Sequence, residues 1–159
     1  MAAAPQPGDR APAFSLPSDE GDEVRLADLT GKIVVLYFYP KDDTPGCTTE
    51  GKAFSAAHAE FDALGAVVVG VSKDTVKSHG KFRLKHGLDV RLGSDVEGRT
   101  VEDYGVWVEK SLYGRTYMGI ERATFLIDGA GVIRRVWRKV SVKGHVDEVL
   151  VAARALKGE

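Results

Sequence analysis

Ile33-Val-Val-Leu-Tyr-Phe-Tyr39 is apolar on both of its alternating faces: Ile33, Val35, Tyr37 and Tyr39 point one way, Val34, Leu36 and Phe38 the other. A strand with that pattern is covered on each side, as the central strand of an α/β sheet is. It ends at Pro40, and the loop Lys41-Asp-Asp-Thr-Pro-Gly46 follows. From Cys47 onward Phe54, Ala57, Phe61 and Leu64 recur at spacings of three, four and three, which predicts one face of a helix. Gly65 is placed to stop it, and Ala66-Val-Val-Val-Gly-Val71 reads as a second buried strand. Strand, helix, strand at this spacing is a βαβ unit with parallel strands and a right-handed crossover.

On the N-terminal side, residues 1–12 are rich in Pro, Gly and Ala and are expected to be an extended lead-in. Phe14–Leu16 and Val24–Leu26 flank the turn formers Pro17-Ser-Asp-Glu-Gly-Asp22, which predicts a short hairpin. On the C-terminal side a second helix is expected from about Asp74 to His86, stopped by Gly87. Residues 88–121 show little pattern: a short extension at Arg91-Leu92-Gly93, one helical turn near Thr100–Tyr104, and a Gly-bearing loop. Ala123–Ile127 and Val132–Trp137 bracket Asp128-Gly-Ala-Gly131, which is hairpin chemistry. Val146, Val149, Leu150, Ala153 and Leu156 mark a final amphipathic helix. The order β-α-β-α, an insertion, then β-β-α predicts an α/β thioredoxin-like fold. It has a mixed central sheet, helices on both faces and an N-terminal hairpin extension, in one domain over residues 1–159.

Composition narrows the function. The chain has 159 residues, with 22 Lys and Arg against 23 Asp and Glu and a formal charge of −1, so general binding to nucleic acid by phosphate neutralisation is not expected. The longest apolar run, Ile33–Tyr39, is far short of the roughly 20 residues of a membrane-spanning helix. The first ten residues carry no apolar stretch of signal-peptide type, which points to the cytoplasm. One cysteine excludes a disulfide framework, a Cys-rich zinc site and an internal Cys-x-x-Cys pair. No metal or organic cofactor is expected.

That cysteine stands where a central strand gives way to a helix, the edge at which open α/β sheets bind ligands. Pro45 suits the first helical position and makes Thr44 the N-cap, so Cys47 falls in the first turn. Backbone N–H groups and the helix dipole there favour an anionic sulfur, the nucleophilic form of a thiol. A lone cysteine is more often a buried, inert thiol; the Thr-Pro-Gly loop and the helix start argue for the reactive reading.

The spacing Pro40-x-x-x-Thr44-x-x-Cys47 resembles the peroxidatic signature of the peroxiredoxins. The wider string Tyr39-Pro-Lys-Asp-Asp-Thr-Pro-Gly-Cys-Thr-Thr-Glu50 resembles the Q-type, or bacterioferritin comigratory protein, subfamily. Gly119–Asp128 and Trp137–Val140 are similar to later blocks of that subfamily, so the resemblance runs through nearly the whole chain from Gly8. It implies that Cys47 attacks a peroxide oxygen, Thr44 holds peroxide and sulfur, Pro40 shields the site from water, Arg122 sets a guanidinium near the sulfur, and Glu50 orients that arginine. It also implies a resolving cysteine, either five residues after the first or in the next helix. Here the first position is Lys52, and Phe82-Arg83-Leu84 offers none in the second.

The expectation is therefore a thiol peroxidase for hydrogen peroxide and organic hydroperoxides, recycled by an external thiol: glutathione with glutaredoxin ahead of thioredoxin. A monomer, or at most a weak dimer, is expected. The alternative is a non-enzymatic redox-sensing module that forms a mixed disulfide through Cys47; a general disulfide reductase is disfavoured because it uses two cysteines. His58, His79, His86 and His145 are expected in surface or capping roles. Arg134, Arg135, Arg138, Lys139 and Lys143 around Trp137 read as a charged strand that deters edge pairing, or more sharply as a docking patch.

Overall fold

The computed structural model describes residues 4–159; the first three residues of the expected lead-in lie outside them. The strands are β1 (Ser15–Pro17), β2 (Glu23–Arg25), β3 (Ile33–Phe38), β4 (Ala66–Ser72), β5 (Arg91–Ser94), β6 (Trp107–Leu112), β7 (Arg115–Ile120), β8 (Ala123–Ile127) and β9 (Ile133–Trp137). The helices are α1 (Pro45–Ala56), α2 (His58–Ala63), α3 (Val76–His86), α4 (Arg99–Asp103) and α5 (His145–Lys157).

The main sheet has the order β5-β4-β3-β8-β9. β3, β4 and β5 run parallel, while β8 is antiparallel to β3 and to β9. β3 is the middle strand, and all six of its residues are buried. The alternation read from its sequence divides two cores. Val35, Tyr37 and Tyr39 pack with Phe54, Phe61, Phe82 and Val149 under α1, α2, α3 and α5. Val34, Leu36 and Phe38 pack with Val101, Tyr104 and Phe125 under α4 and the β1–β2 hairpin. Tyr37 pairs with Gly70 on β4. A methyl at Gly70 would stand 2.6 Å from the Tyr37 ring, so a glycine interrupts the valine run where that ring crosses the sheet.

Two expectations are corrected. The helix predicted from Cys47 to Leu64 is divided at Ala57 into α1 and α2. Ser55 Oγ bonds back to the Gly51 carbonyl at 2.7 Å and also accepts from Asp89 N, a back-bond of the kind that bends helices. Phe54, Ala57 and Phe61 nevertheless share one buried face. The Gly-bearing loop is instead a two-stranded ribbon, β6–β7. Tyr113 (φ 50°) and Gly114 (φ 76°) make its turn, with the two positive φ values that the twist of a tight hairpin favours.

β9 is an edge strand, as its charges suggested; Arg134 on it pairs with Asp128 and Glu159, and Arg138 just beyond its end pairs with Glu121. Among the described residues no helix is long and apolar enough to cross a membrane.

Candidate active site

Helix α1 begins as its sequence predicts, with Thr44 as the N-cap and Pro45 in the first turn. Cys47 lies within that turn and is 2% exposed. The Thr44 side chain does not cap. Its hydroxyl donates to the Lys41 carbonyl at 2.8 Å, which commits its proton and leaves its lone pairs as acceptors. Pro40, one residue beyond buried Tyr39, is itself exposed.

Arg122 arrives from the short link between β7 and β8. Its carbonyl accepts from Val140 N at 3.0 Å, and the preceding Glu121 N donates to Val106 O at 2.8 Å. The guanidinium then bridges two groups of α1: Nη1 donates to Glu50 Oε1 at 2.7 Å and Nη2 to Cys47 Sγ at 3.3 Å. Glu50, one turn after Cys47, is wholly buried, and its Oε2 has no partner among the described residues. Burial pushes the Glu50 carboxyl up to about 7, against the pull of Arg122. Arg122 is lifted above its ordinary value because Glu50 and Cys47 outweigh the effect of its own burial. Cys47, Glu50 and Arg122 thus meet in one cluster, with Thr44 at its helix cap.

Gly46 is a site residue that sequence reasoning missed. A methyl there would stand 3.0 Å from Arg122 Nη2, so the missing side chain lets the guanidinium close on the sulfur. A glycine inside a helix's first turn, where it costs stability, was the available signal.

The loop before α1 is pinned to α3 by groups that were also missed. Asp42 accepts from Tyr39 Oη at 2.6 Å, meets His79 Nδ1 at 2.7 Å, and accepts from Ser78 Oγ at 2.7 Å. Its backbone N–H donates to Asp74 Oδ2 at 2.8 Å. Asp43, held at a left-handed φ of 61°, bonds Lys85 and His86. The surface role expected for the histidines is therefore wrong for His79, which is fully buried, and for His145, which bonds Thr124 between Phe54 and Trp137. The signal was Thr75, His79, Phe82 and His86 at spacings of four, three and four, one face of α3. Ligand-type atoms of Asp42, Asp74 and His79 lie within 4.8 Å of one another. They already bond one another, Tyr39, Ser72 and Ser78, so the group works as a closed polar network.

The profile of the AhpC/TSA family matches residues 7–136. A putative peroxiredoxin Bcp of Coxiella burnetii is 53% identical over 90% of this chain and 95% of its own length. Peroxiredoxin Bcp of Bacillus subtilis is 51% identical over 90% and 91%. Among solved structures, a serine variant of Xylella fastidiosa PrxQ superposes with a TM-score of 0.91 at 39% identity, covering 97% of this chain and 98% of that one. Bacterioferritin comigratory protein of Xanthomonas campestris, studied for its alkyl peroxide reduction activity, gives 0.88 at 42% identity over 99% of both chains. The chain belongs to the AhpC/TSA family and, within it, to the Bcp, or Q-type, peroxiredoxins.

Proposed function

We propose that this peroxiredoxin reduces hydrogen peroxide and alkyl hydroperoxides at Cys47, the nucleophile, with Thr44, Arg122, Glu50 and Pro40 as its supporting residues. The observation that carries this reading is the guanidinium bridge between Cys47 Sγ and Glu50 Oε1. In the first step the sulfur attacks one peroxide oxygen, the O–O bond breaks, and the leaving oxygen takes a proton to become water or an alcohol. Negative charge builds on that oxygen as the bond stretches, and a cation fixed beside the sulfur stabilises it. Thr44, whose hydroxyl proton is committed to Lys41, accepts the peroxide O–H and sets the peroxide's direction. Glu50 keeps Arg122 in place, and Pro40 covers the loop side.

The second step draws on the count of cysteines. With one sulfur nucleophile in the chain, no internal disulfide forms. An external thiol condenses with the sulfenic acid and a second releases it. Glutathione with glutaredoxin is the proposed source, ahead of thioredoxin, and a cytoplasmic monomer of one domain is the proposed form.

Peroxide consumption in the presence of dithiothreitol tests the reading. Cys47→Ser is expected to abolish turnover with hydrogen peroxide and with cumene hydroperoxide while leaving the circular dichroism spectrum unchanged. Retained turnover in a folded Cys47→Ser protein would remove the nucleophile from the scheme.

A further inference from the structure

The turn of α1 that holds Cys47 has weak local support. Thr44 makes no capping bond, and Gly46 stands in that turn, where a glycine weakens a helix. Apart from the Arg122 contacts, what fixes the turn comes from the loop before it. Asp42 and Asp43 both tie this loop to α3, but unequally. The bonds of Asp43 to Lys85 and His86 are exposed, where ion pairs hold weakly. Asp42 is buried, and a bond lost there leaves a desolvated group unsatisfied. Asp42 is therefore the stronger tie.

Hydrogen-bond accounting shows how the tie is made. Both oxygens of Asp42 are engaged: Oδ1 by Tyr39 Oη, and Oδ2 by Ser78 Oγ and by His79 Nδ1 at 2.7 Å. The other ring nitrogen of His79, Nε2, lies 3.2 Å from the Gly93 carbonyl on β5. A carbonyl only accepts, so Nε2 carries a hydrogen, and one proton must also lie between Nδ1 and Oδ2. The fully buried His79 is thereby held at both nitrogens, one on the main sheet and one on the loop. Its helix is fixed in turn. Thr75 caps α3 by accepting from Ser78 N at 3.1 Å, and Asp74, just before it, accepts from Asp42 N and from Ser72 Oγ. The ends of β4 and β5, the start of α3 and the loop are thus one bonded unit, which the chain leaves at Thr44.

We propose that Asp42 and His79 are positioning residues for the peroxide step. They act through the loop and not on the sulfur. With the loop bonded to α3 and β5, the Thr44 oxygen and the Cys47 sulfur keep their register with Arg122. This rests on the peroxidase reading above. Attack on the peroxide needs those three groups together, and a misplacement of about 1 Å can cost about 100-fold in such a step. A released loop frees the first turn of α1 to swing out. It therefore has opposite effects on two reactions of the same sulfur: slower with peroxide, faster with a reagent that needs only an exposed thiol.

The test follows Cys47 by stopped-flow oxidation with hydrogen peroxide and by labelling with a bulky maleimide. Asp42→Ala is expected to slow oxidation and to speed labelling, each by about ten-fold, the scale of one hydrogen bond to a charged group. His79→Ala should do the same, and the double variant should add little, since the two act as a pair. Asp42→Asn should restore both rates: its Oδ1 still accepts from Tyr39, and its amide donates to an Nδ1 that then carries no proton. Val101→Ala, in the core under α4, supplies the comparison for a loss of stability alone, with both rates of the folded protein unchanged. If Asp42→Ala does not fold, Ser78→Ala removes one donor to Asp42 and should shift both rates the same way by about three-fold; unchanged rates there would overturn the proposal. It is equally overturned if Asp42→Ala behaves as Val101→Ala does, or if Asp42→Asn is as impaired as Asp42→Ala. A wild-type protein that takes the maleimide label but is not oxidised by peroxide would count against the peroxidase reading instead, and labelling alone would still test the hold on the loop.

Discussion

Arg122 donates to one oxygen of Glu50 at 2.7 Å, and the other oxygen of that carboxylate is buried with no partner among the described residues. Half of a buried charge is thus satisfied and half is not. Burial outweighs the guanidinium and lifts the carboxyl to about 7. The direction matters for stability. The ordinary value is 4.5, so between pH 4.5 and about 7 the folded protein holds a proton on Glu50 that the unfolded chain has released. Folding stability contributed by this group is full below pH 4.5 and falls as the pH rises through about 7. One pKa unit corresponds to about 1.4 kcal/mol, which bounds the loss at about 3 kcal/mol. Urea midpoints at pH 5 and pH 8 should therefore differ more for wild type than for Glu50→Gln, which cannot titrate. Parallel changes in the two proteins would show that Glu50 is ionised across the whole range.

Arg122 has two jobs that substitution can separate. Arg122→Ala removes the cation beside Cys47 and also strips the Glu50 carboxylate of its one partner among the described residues; breaking a buried pair in this way costs about 3–5 kcal/mol. The double variant Arg122→Ala with Glu50→Gln removes the orphaned charge and should recover much of that stability. It should not recover rate. Stopped-flow oxidation by hydrogen peroxide is expected to slow by about 100-fold in both, the scale of losing a preorganised donor to developing negative charge. Arg122→Lys should recover little, because an ammonium cannot present two parallel donors to Sγ and Oε1 in the same plane. Thr44→Val, which deletes the acceptor fixed by Lys41, should slow the same step by about ten-fold, the scale of one hydrogen bond. Near wild-type oxidation in the double variant would mean that Arg122 serves the fold alone.

These residues were not equally readable in the sequence. Thr44 and Cys47 stand three positions apart, and helix-start chemistry connects them without further information; Glu50, one turn on, entered only through the likeness to a known pattern. Arg122 is 75 residues from Cys47; only its likeness to a known pattern placed it at the sulfur, because no local periodicity carries a long-range contact. The buried strands were legible for the opposite reason. β3, β4 and β8 have cores on both faces, so they read as mainly apolar runs, broken only at Gly70 in β4, at its last residue Ser72, and at Thr124 in β8. The β6–β7 ribbon is largely exposed on both faces. Glu109, Lys110 and Ser111 face Thr116, Tyr117 and Met118 across it, and no alternation of apolar and polar residues announces it. The Asp42–His79 pair was hidden by type: an isolated histidine carries no sign of the carboxylate that a loop 37 residues away will bring to it.

The burial of Cys47 also decides what the oxidised protein can become. A cysteine that is 2% exposed cannot meet a second Cys47 across two copies without both helix starts opening. With no second thiol in the chain, the sulfenic acid waits for a small or protein thiol, and excess peroxide competes for it. Oxidation beyond the sulfenic state is irreversible without a dedicated repair enzyme. Intact-mass spectrometry after one equivalent of hydrogen peroxide is therefore expected to show monomer plus one oxygen, passing to two oxygens as peroxide rises. Glutathione present from the start should divert the product to a monomer bearing one glutathione and protect activity across repeated peroxide additions. Arg122 bears on the competition too, since the cation that assists the first attack also stands beside the sulfenic oxygen. Non-reducing electrophoresis gives the decisive contrast: a predominant Cys47–Cys47 dimer would mean that α1 opens readily at its first turn and that resolution runs between copies of the chain.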